Sequence, residues 1–384
     1  MTRPQPAGPP TLRRHNLGLV LAVLRAAGAA SRAQLAARTG LTRATVTTLL
    51  EPLLDAGVLI EDAAAPRGVG RPSRAVRFSP QGPVALGVAI DVDTLTVCAV
   101  GLDGAVRDHR RIVRDHRNLP PAAVFGGAAD LAGRLRADVG ARVLGAGLAL
   151  PALLGSAGGD DQPVVLRAPN LPRLRGTRPG AVLAERLRLP VSVGNEATLG
   201  ALAHLDLAPN LIYVSTGIGI GGGIVLDGRI YQGAHGLAGE LGHVVIDRDG
   251  PECGCGGSGC VERYAGTSAL LADAGVADLD ALEAGLVRGD GWAVAATSRA
   301  TAALGVGLAS VLNVLDVPVV VLGGTYARLA RHVVPELESE LGRRSLQPAA
   351  ARVLASDHGD AAVVRGAAES VLDAVQRDPD RLLA

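Results

Sequence analysis

At 384 residues with 48% hydrophobic side chains, the chain is long enough for two or three packed domains. Its 51 glycines and 23 prolines are spread along it, which excludes a low-complexity, disordered protein. All 38 basic residues are arginine, so lysine-dependent chemistry is excluded too; residues 1–80 carry eleven arginines against four acids (+7) and the remainder is −6, so a polyanionic partner is expected at the head alone, with a solvated basic face as the competing reading.

In chain order, the first predicted element is a helix over 13–27, where Leu17, Val20, Leu21 and Leu24 recur at i, i+3, i+4 and i+7 before Gly28 stops the run. Ser31 with Gln34 three residues on makes a capping box for a second helix, which begins at Arg32, runs through Thr39 and is ended by Gly40. Thr42 caps a third helix whose Val46, Leu49, Leu50, Leu53 and Leu54 face inward. Helix, short glycine turn and helix make the helix-turn-helix pattern. Thr42, Arg43, Thr45 and Thr47 open the third helix with short polar side chains and one guanidinium, suited to base edges and phosphates in a major groove, and Arg32 stands at the start of the second. A strand over 58–60, a Gly/Arg turn over 66–72 and a returning strand over 75–78 read as a wing carrying Arg67, Arg71 and Arg74. Arg71, between Gly70 and Pro72, resembles a minor-groove hook. The partner expected for this winged helix-turn-helix, residues 11–80, is double-stranded operator DNA; a three-helix protein-interaction module is the alternative.

Residues 1–10 are proline-rich without the apolar core of an export signal, and runs such as 317–322 are too short to span a bilayer. A cytoplasmic setting without membrane contact is expected.

Residues 84–384 form the body, which contains an internal echo. A strand over 84–91, a turn, and a strand over 95–102 ending in Leu102, Asp103 and Gly104 return as a strand over 210–215, a glycine-rich turn, and a strand over 222–226 ending in Leu226, Asp227 and Gly228. Helical stretches over 122–139, 180–187, 196–205 and 293–313 alternate with strands over 142–150 and 317–322. The expectation is an α/β body of two related lobes around a shared cleft, with the duplicated actin-like ATPase architecture.

Three of the four cysteines, Cys253, Cys255 and Cys260, lie within eight residues at C-x-C-x4-C spacing, with His243 ten residues upstream. Three thiolates and one imidazole are a closed tetrahedral set, which marks a structural rather than catalytic Zn2+ site; free thiols or a redox pair are the alternative. Cys98, in an apolar strand, reads as an inert core residue.

Thr216 followed by the glycine-rich run 217–223, then Gly233 and Gly236 leading to Glu240, Gly242 and His243, resembles the signature of the ROK family of repressors, uncharacterised reading frames and sugar kinases. The cysteine motif ending at Glu262 resembles that family's zinc motif. Head and body together are similar to its regulator branch, which includes xylose- and N-acetylglucosamine-responsive repressors. The resemblance implies a sugar pocket at Asn170, Asn195, Glu196, Glu240, His243 and Glu262, amides and carboxylates that pair with adjacent hydroxyls. It also implies a homodimer or homotetramer. The chain departs from the family pattern at Pro172 and Arg173, where Gly-Trp often follows Asn-Leu, and at Ala152, where Pro-Gly is usual.

The resembling kinases carry Asp-x-Gly-Gly-Thr in the first lobe's turn. Here the turn reads Asp91, Val92, Asp93, Thr94, without either glycine and with an added charge, and the kinases' catalytic Asp is replaced by Glu196. The expectation is therefore a sugar-responsive regulator, in the sense of a repressor, that senses its sugar without phosphorylating it. A sugar kinase, alone or combined with DNA binding, is the alternative.

Overall fold

A computed structural model describes residues 9–62, 74–155, 162–346 and 351–383. The head comprises α1 (Pro9–Ala27), β1 (Ala29–Ser31), α2 (Arg32–Thr39), α3 (Arg43–Asp55), β2 (Leu59–Glu61) and β3 (Ala75–Phe78). The capping box closes as the sequence predicts: Gln34 N–H donates to Ser31 Oγ at 3.3 Å, and Ser31 N–H donates to Gln34 Oε1 at 2.8 Å. Gly40 ends α2 in the left-handed region, φ 73°. The strand β1 is absent from the sequence reading. It pairs antiparallel with β3, which also pairs with β2, so the wing is a three-stranded sheet rather than a simple hairpin. Three residues are too few to show a period of two.

The first lobe holds β4 (Val84–Ile90), β5 (Thr94–Gly101), β6 (Val106–Val113), α4 (Pro121–Val139), β7 (Val143–Leu150), the short pair β8 (Leu153–Gly155) and β9 (Val164–Arg167), α5 (Pro179–Leu187) and β10 (Val191–Asn195). Helix α6 (Glu196–Leu202) follows β10 without a break and stops three residues short of the predicted end. The second lobe holds β11 (Leu211–Thr216), β12 (Ile220–Leu226), β13 (Arg229–Ile230), α7 (Glu262–Ala265), α8 (Thr267–Ala274), α9 (Leu279–Arg288), α10 (Gly291–Leu315), β14 (Val319–Leu322), α11 (Gly324–Arg328), α12 (Ala330–Arg344) and β15 (Arg352–Ala355). The chain closes with α13 (Ala362–Arg377).

The echo in the sequence is an echo in topology. The two main sheets have strand orders β10-β7-β4-β5-β6 and β13-β12-β11-β14-β15. In each, three antiparallel strands come first in sequence, and the next two strands add parallel beside the first strand of the lobe. Each lobe has its own hydrophobic core. Helix α10 is long and apolar enough to cross a membrane by length and composition. In the fold it is the central helix of the second core, with Ala293, Ala300, Leu304, Leu308 and Leu312 buried.

A third core joins head to body. Leu17, Val20 and Leu24 of α1 share one cluster with Val371, Leu372 and Val375 of α13 and with Cys98 and Val100 of β5. Across this seam Arg25 Nη2 donates to both Glu369 carboxylate oxygens, at 2.7 and 2.6 Å. The chain segment over 78–83 is therefore one of two routes between head and body. The other side of α13 packs on α6, where a Cβ at Gly366 would stand 1.8 Å from the Leu199 carbonyl oxygen; only glycine permits that approach. Cys98 is 1% exposed, its thiol donates to the Val364 carbonyl at 3.4 Å, and burial pushes it up to about 12, in keeping with an inert core residue.

Candidate functional site

Four of the residues predicted to meet DNA converge on one hollow of the head: Arg32, Arg43, Thr47 and Arg74, with Ser31 and Ala33 beside them. Thr42 caps α3 by accepting from Thr45 N–H at 3.1 Å, and the Thr42 and Thr45 hydroxyls lie 2.8 Å apart. The Thr47 hydroxyl donates back to the Arg43 carbonyl at 2.9 Å. These hydroxyls therefore brace the helix start and leave Arg43, on its outer face, free of any ion pair among the described residues. Arg32 instead pairs with Glu61 of β2, which also lies 3.5 Å from Arg74. The Arg32 hydrogen bond is the main influence lowering the Glu61 carboxyl. Arg67 and Arg71 lie outside the described residues.

The metal-ligand set assembles from two segments. His243 ends the short helical turn Leu241–His243 after Glu240, and the cysteines lie on the loop before α7. One ligand atom from each of His243, Cys253, Cys255 and Cys260 lies within 4.8 Å of all the others. His243 Nδ1 is 3.6 Å from Cys253 Sγ, and Cys255 Sγ is 3.7 Å from Cys260 Sγ. Ligand distances of about 2.3 Å to sulfur and 2.0–2.1 Å to nitrogen on a tetrahedral ion give edges of roughly 3.6–3.8 Å. The separations fit a metal ion and are far too long for a disulfide. Gly257 N–H donates to Cys255 Sγ at 3.4 Å, a backbone contact that favours a thiolate. One connection escapes the sequence: Arg167, at the end of β9 in the first lobe, donates to the carbonyls of Gly254 and Cys255 on the metal loop of the second.

His243 uses its two nitrogens differently. With Nδ1 among the sulfurs, Nε2 lies 3.9 Å from Glu240 Oε2. That side opens to the cleft, where Glu196 stands at the N-terminus of α6. Asn195 caps α6, accepting from Ala197 N–H at 2.8 Å and Thr198 N–H at 3.3 Å, and donates to the Ala152 carbonyl at 3.3 Å. Its amide is thus fixed, and Ala152, where the family pattern expects glycine, supplies an anchor. Glu196 Oε2 is buried without a hydrogen-bond partner among the described residues. Burial pushes its carboxyl up to about 8, and Asp91 and Glu240 add to the effect. Asp91, read from sequence only as part of a degraded loop, thus belongs to the acidic wall; burial raises its own carboxyl, and Asp93 reinforces that. Asn170 is exposed on the turn after β9, with no side-chain hydrogen bond among the described residues.

Glu262 has a definite place. Its Oε2 accepts from Ile220 N–H at 3.0 Å, and a Cβ at Gly219 would stand 2.0 Å from that oxygen. The carboxylate therefore occupies the turn of the 217–223 run. The equivalent turn in the first lobe is closed by its own side chains. Val92 N–H donates to Asp91 Oδ1 at 2.7 Å, Val92 is 1% exposed, and the Val92 and Asp93 carbonyls accept from His116 and Arg114 amides, each at 2.8 Å. The Val92 amide is thus already used, where a phosphate cradle needs free amides.

Residues 13–60 match the winged helix-turn-helix DNA-binding model, and residues 85–374 match the ROK family model. A putative xylose repressor from Caldicellulosiruptor sp. (strain Rt8B.4) is 27% identical over 381 residues, covering 91% of this chain and 93% of that protein. Among solved structures, a ROK family transcriptional regulator, a homologue of the E. coli MLC protein, superposes with a TM-score of 0.80 at 25% identity, covering 97% of this chain and 99% of its own. A ROK family glucokinase from Streptomyces griseus, in complex with glucose and AMPPNP, superposes with a TM-score of 0.63 at 25% identity, covering 75% of this chain and 98% of its own. With three quarters of its length matched by the family model and a winged helix-turn-helix in front, the chain belongs to the ROK family.

Proposed function

We propose that this protein is a sugar-responsive, DNA-binding transcriptional repressor whose body senses its effector without phosphorylating it. The observation that carries the reading is the continuity of α6, α13 and α1. Asn195 and Glu196 open α6, Gly366 seats α13 on it, and α13 shares a core and the Arg25–Glu369 pair with the head. A sugar in the cleft engages Asn195, Glu196, Glu240, the Nε2 side of His243 and the free oxygen of Glu262, with Asn170 closing from the first lobe. Shifting α6 then moves α13 and, through it, α1 and the DNA-facing hollow. Two heads of a homodimer, residues 11–80 of each chain, grip two half-sites of operator DNA, and sugar binding to the bodies, residues 84–384, releases them. Coupling between two such sites is typically about 1–3 kcal/mol.

The ion suited to His243 and the three cysteines is Zn2+ in a structural role. Held by these four residues, such an ion would fix the loop between Glu240 and Glu262, and the carbonyls of Gly254 and Cys255 that Arg167 contacts tie that loop to the first lobe. The reading against turnover rests on the first-lobe turn, where Val92 and Asp91 consume the amide a phosphate needs. The retained 217–223 run favours a kinase as the second reading. A thermal-shift screen of the full chain against pentoses and hexoses, D-xylose first, tests the proposal. One sugar should raise Tm in wild type and leave Glu196→Ala unchanged; a panel with no stabilising sugar would refute the sensor.

A further inference from the structure

A second cavity lies on the first lobe, between β5–β6 and α4, away from the cleft and the metal loop. Its volume is ≈ 180 Å³. Leu95 and Val124 floor it, and Gly127, Asp130 and Arg134 of α4 line one wall at i, i+3 and i+7, one face of a helix. Arg114 enters from the opposite side, and a Cβ at Gly127 would stand 3.7 Å from its Nη1.

Three charged groups around this hollow have no ion-pair partner among the described residues: the guanidiniums of Arg114 and Arg134 and the carboxylate of Asp130. Asp130 and Arg134 are spaced i, i+4, the usual distance for a helical pair, yet remain apart. His116 also lines the hollow. It is 3% exposed, its Nδ1 donates to the Asp91 carbonyl at 2.7 Å, and its Nε2 has no partner among the described residues. Two guanidiniums without an ion-pair partner among the described residues line one hollow with an apolar floor.

We propose that this hollow is a binding site for a small, hydroxyl-bearing phosphate ester. Two guanidiniums match the oxygens of one tetrahedral dianion. Asp130 and His116 Nε2 suit a hydroxyl, the apolar floor suits a short carbon chain, and the volume excludes a large ligand. The site is linked to the effector cleft through the backbone. The segment Arg114 to His116 holds the first-lobe turn through three contacts, Arg114 N–H to the Asp93 carbonyl, His116 N–H to the Val92 carbonyl, and His116 Nδ1 to the Asp91 carbonyl. A ligand that fixes Arg114 and His116 fixes the backbone that presents Asp91 beside Glu196. Occupancy therefore tightens effector binding. The binding itself is independent of the proposed function; only the coupling rests on it.

Calorimetric titration of the full chain with glycerol phosphate and with inorganic phosphate, at constant ionic strength, tests the site. Saturable binding is expected at about 1 mM or tighter, stronger for the ester than for the bare ion. Arg114→Gln and Arg134→Gln should each weaken it about tenfold or more, while Arg288→Gln, in an exposed pair with Asp290 on the other lobe, should leave it unchanged. Gly127→Leu fills the hollow without removing a charge and should abolish binding with Tm maintained, since leucine is the better helix former. No saturable binding, or binding that survives Arg134→Gln and Gly127→Leu, would overturn the proposal. A sugar titration with and without saturating ester reads the coupling, with an expected fivefold or greater gain in affinity, about the lower end of known linkages. An unchanged sugar affinity would overturn the coupling while leaving the site standing.

Discussion

Glu196 opens α6 with one carboxylate oxygen buried and without a hydrogen-bond partner among the described residues. The family resemblance implies a place for it in the sugar pocket after Asn195, with the expectation of a carboxylate accepting from a sugar hydroxyl. The nearby charges of Asp91 and Glu240 add to the burial that disfavours its ionised form. At neutral pH Glu196 is mostly a carboxylic acid, able to donate and accept. The folded state then holds a proton that the unfolded chain, with its ordinary value of 4.5, has released, so the stability this group contributes is fully present below 4.5 and lost as pH rises through about 8. Across about pH 5 to 9, thermal denaturation of the wild type should fall relative to Glu196→Gln, which cannot titrate. A sugar that excluded water from this carboxyl would raise it further, and wild-type sugar affinity should then decline above about pH 8 while that of Glu196→Gln stays flat. Parallel profiles for the two proteins would show that Glu196 is ionised throughout. The metal loop gives a second residue-scale prediction. Cys255→Ser should cut bound zinc, measured by elemental analysis, well below one per chain and lower Tm; wild-type protein purified without chelator and free of metal would count against the zinc assignment.

Among the elements, α13 carries the argument. Its core-facing residues are buried on both flanks, against α6 and the first sheet on one side and α1 on the other. Gly366→Ala inserts a methyl 1.8 Å from the Leu199 carbonyl, so α13 and α6 must separate. DNA affinity without sugar should be retained while the response to sugar falls at least severalfold; an unaltered response would remove α13 from the route. Arg25→Ala leaves Glu369 buried and unpaired. Breaking a buried pair costs roughly 3–5 kcal/mol, and the partly exposed guanidinium reduces that to about 2 kcal/mol, measurable by urea denaturation. These contacts were not legible in the sequence. The three head helices were, because capping residues and an i, i+3, i+4 apolar pattern are local, and so was the repeat of strands, turns and Asp-Gly corners. The β1 strand, Arg167 on the metal loop and the seating of α13 on α1 depend on residues far apart in the chain. The cluster of His243 with three cysteines was legible because its chemistry is written in spacing; Asp91 was missed beside Glu196 because it was read only against a kinase loop.

For the whole molecule, the +7 head and −6 remainder keep the polyanion-binding surface at one end, while the two lobes share a strand order and meet across α6. Arg43→Ala on the exposed face of α3 should lower the log–log salt slope of DNA binding by about one unit and weaken binding across sequences; a slope equal to wild type would place that face away from the phosphates. The central claim joins the two ends: a sugar bound in the body changes the grip of the head on DNA, with no phosphoryl transfer. Its most direct test is fluorescence anisotropy of the full chain on a duplex selected in vitro from random sequence, titrated with and without the stabilising sugar, with ATP present and ADP formation followed in the same sample. The account predicts that sugar weakens DNA binding by about 5- to 150-fold and that no ADP forms. Sugar-dependent ADP formation with DNA affinity unmoved would contradict it.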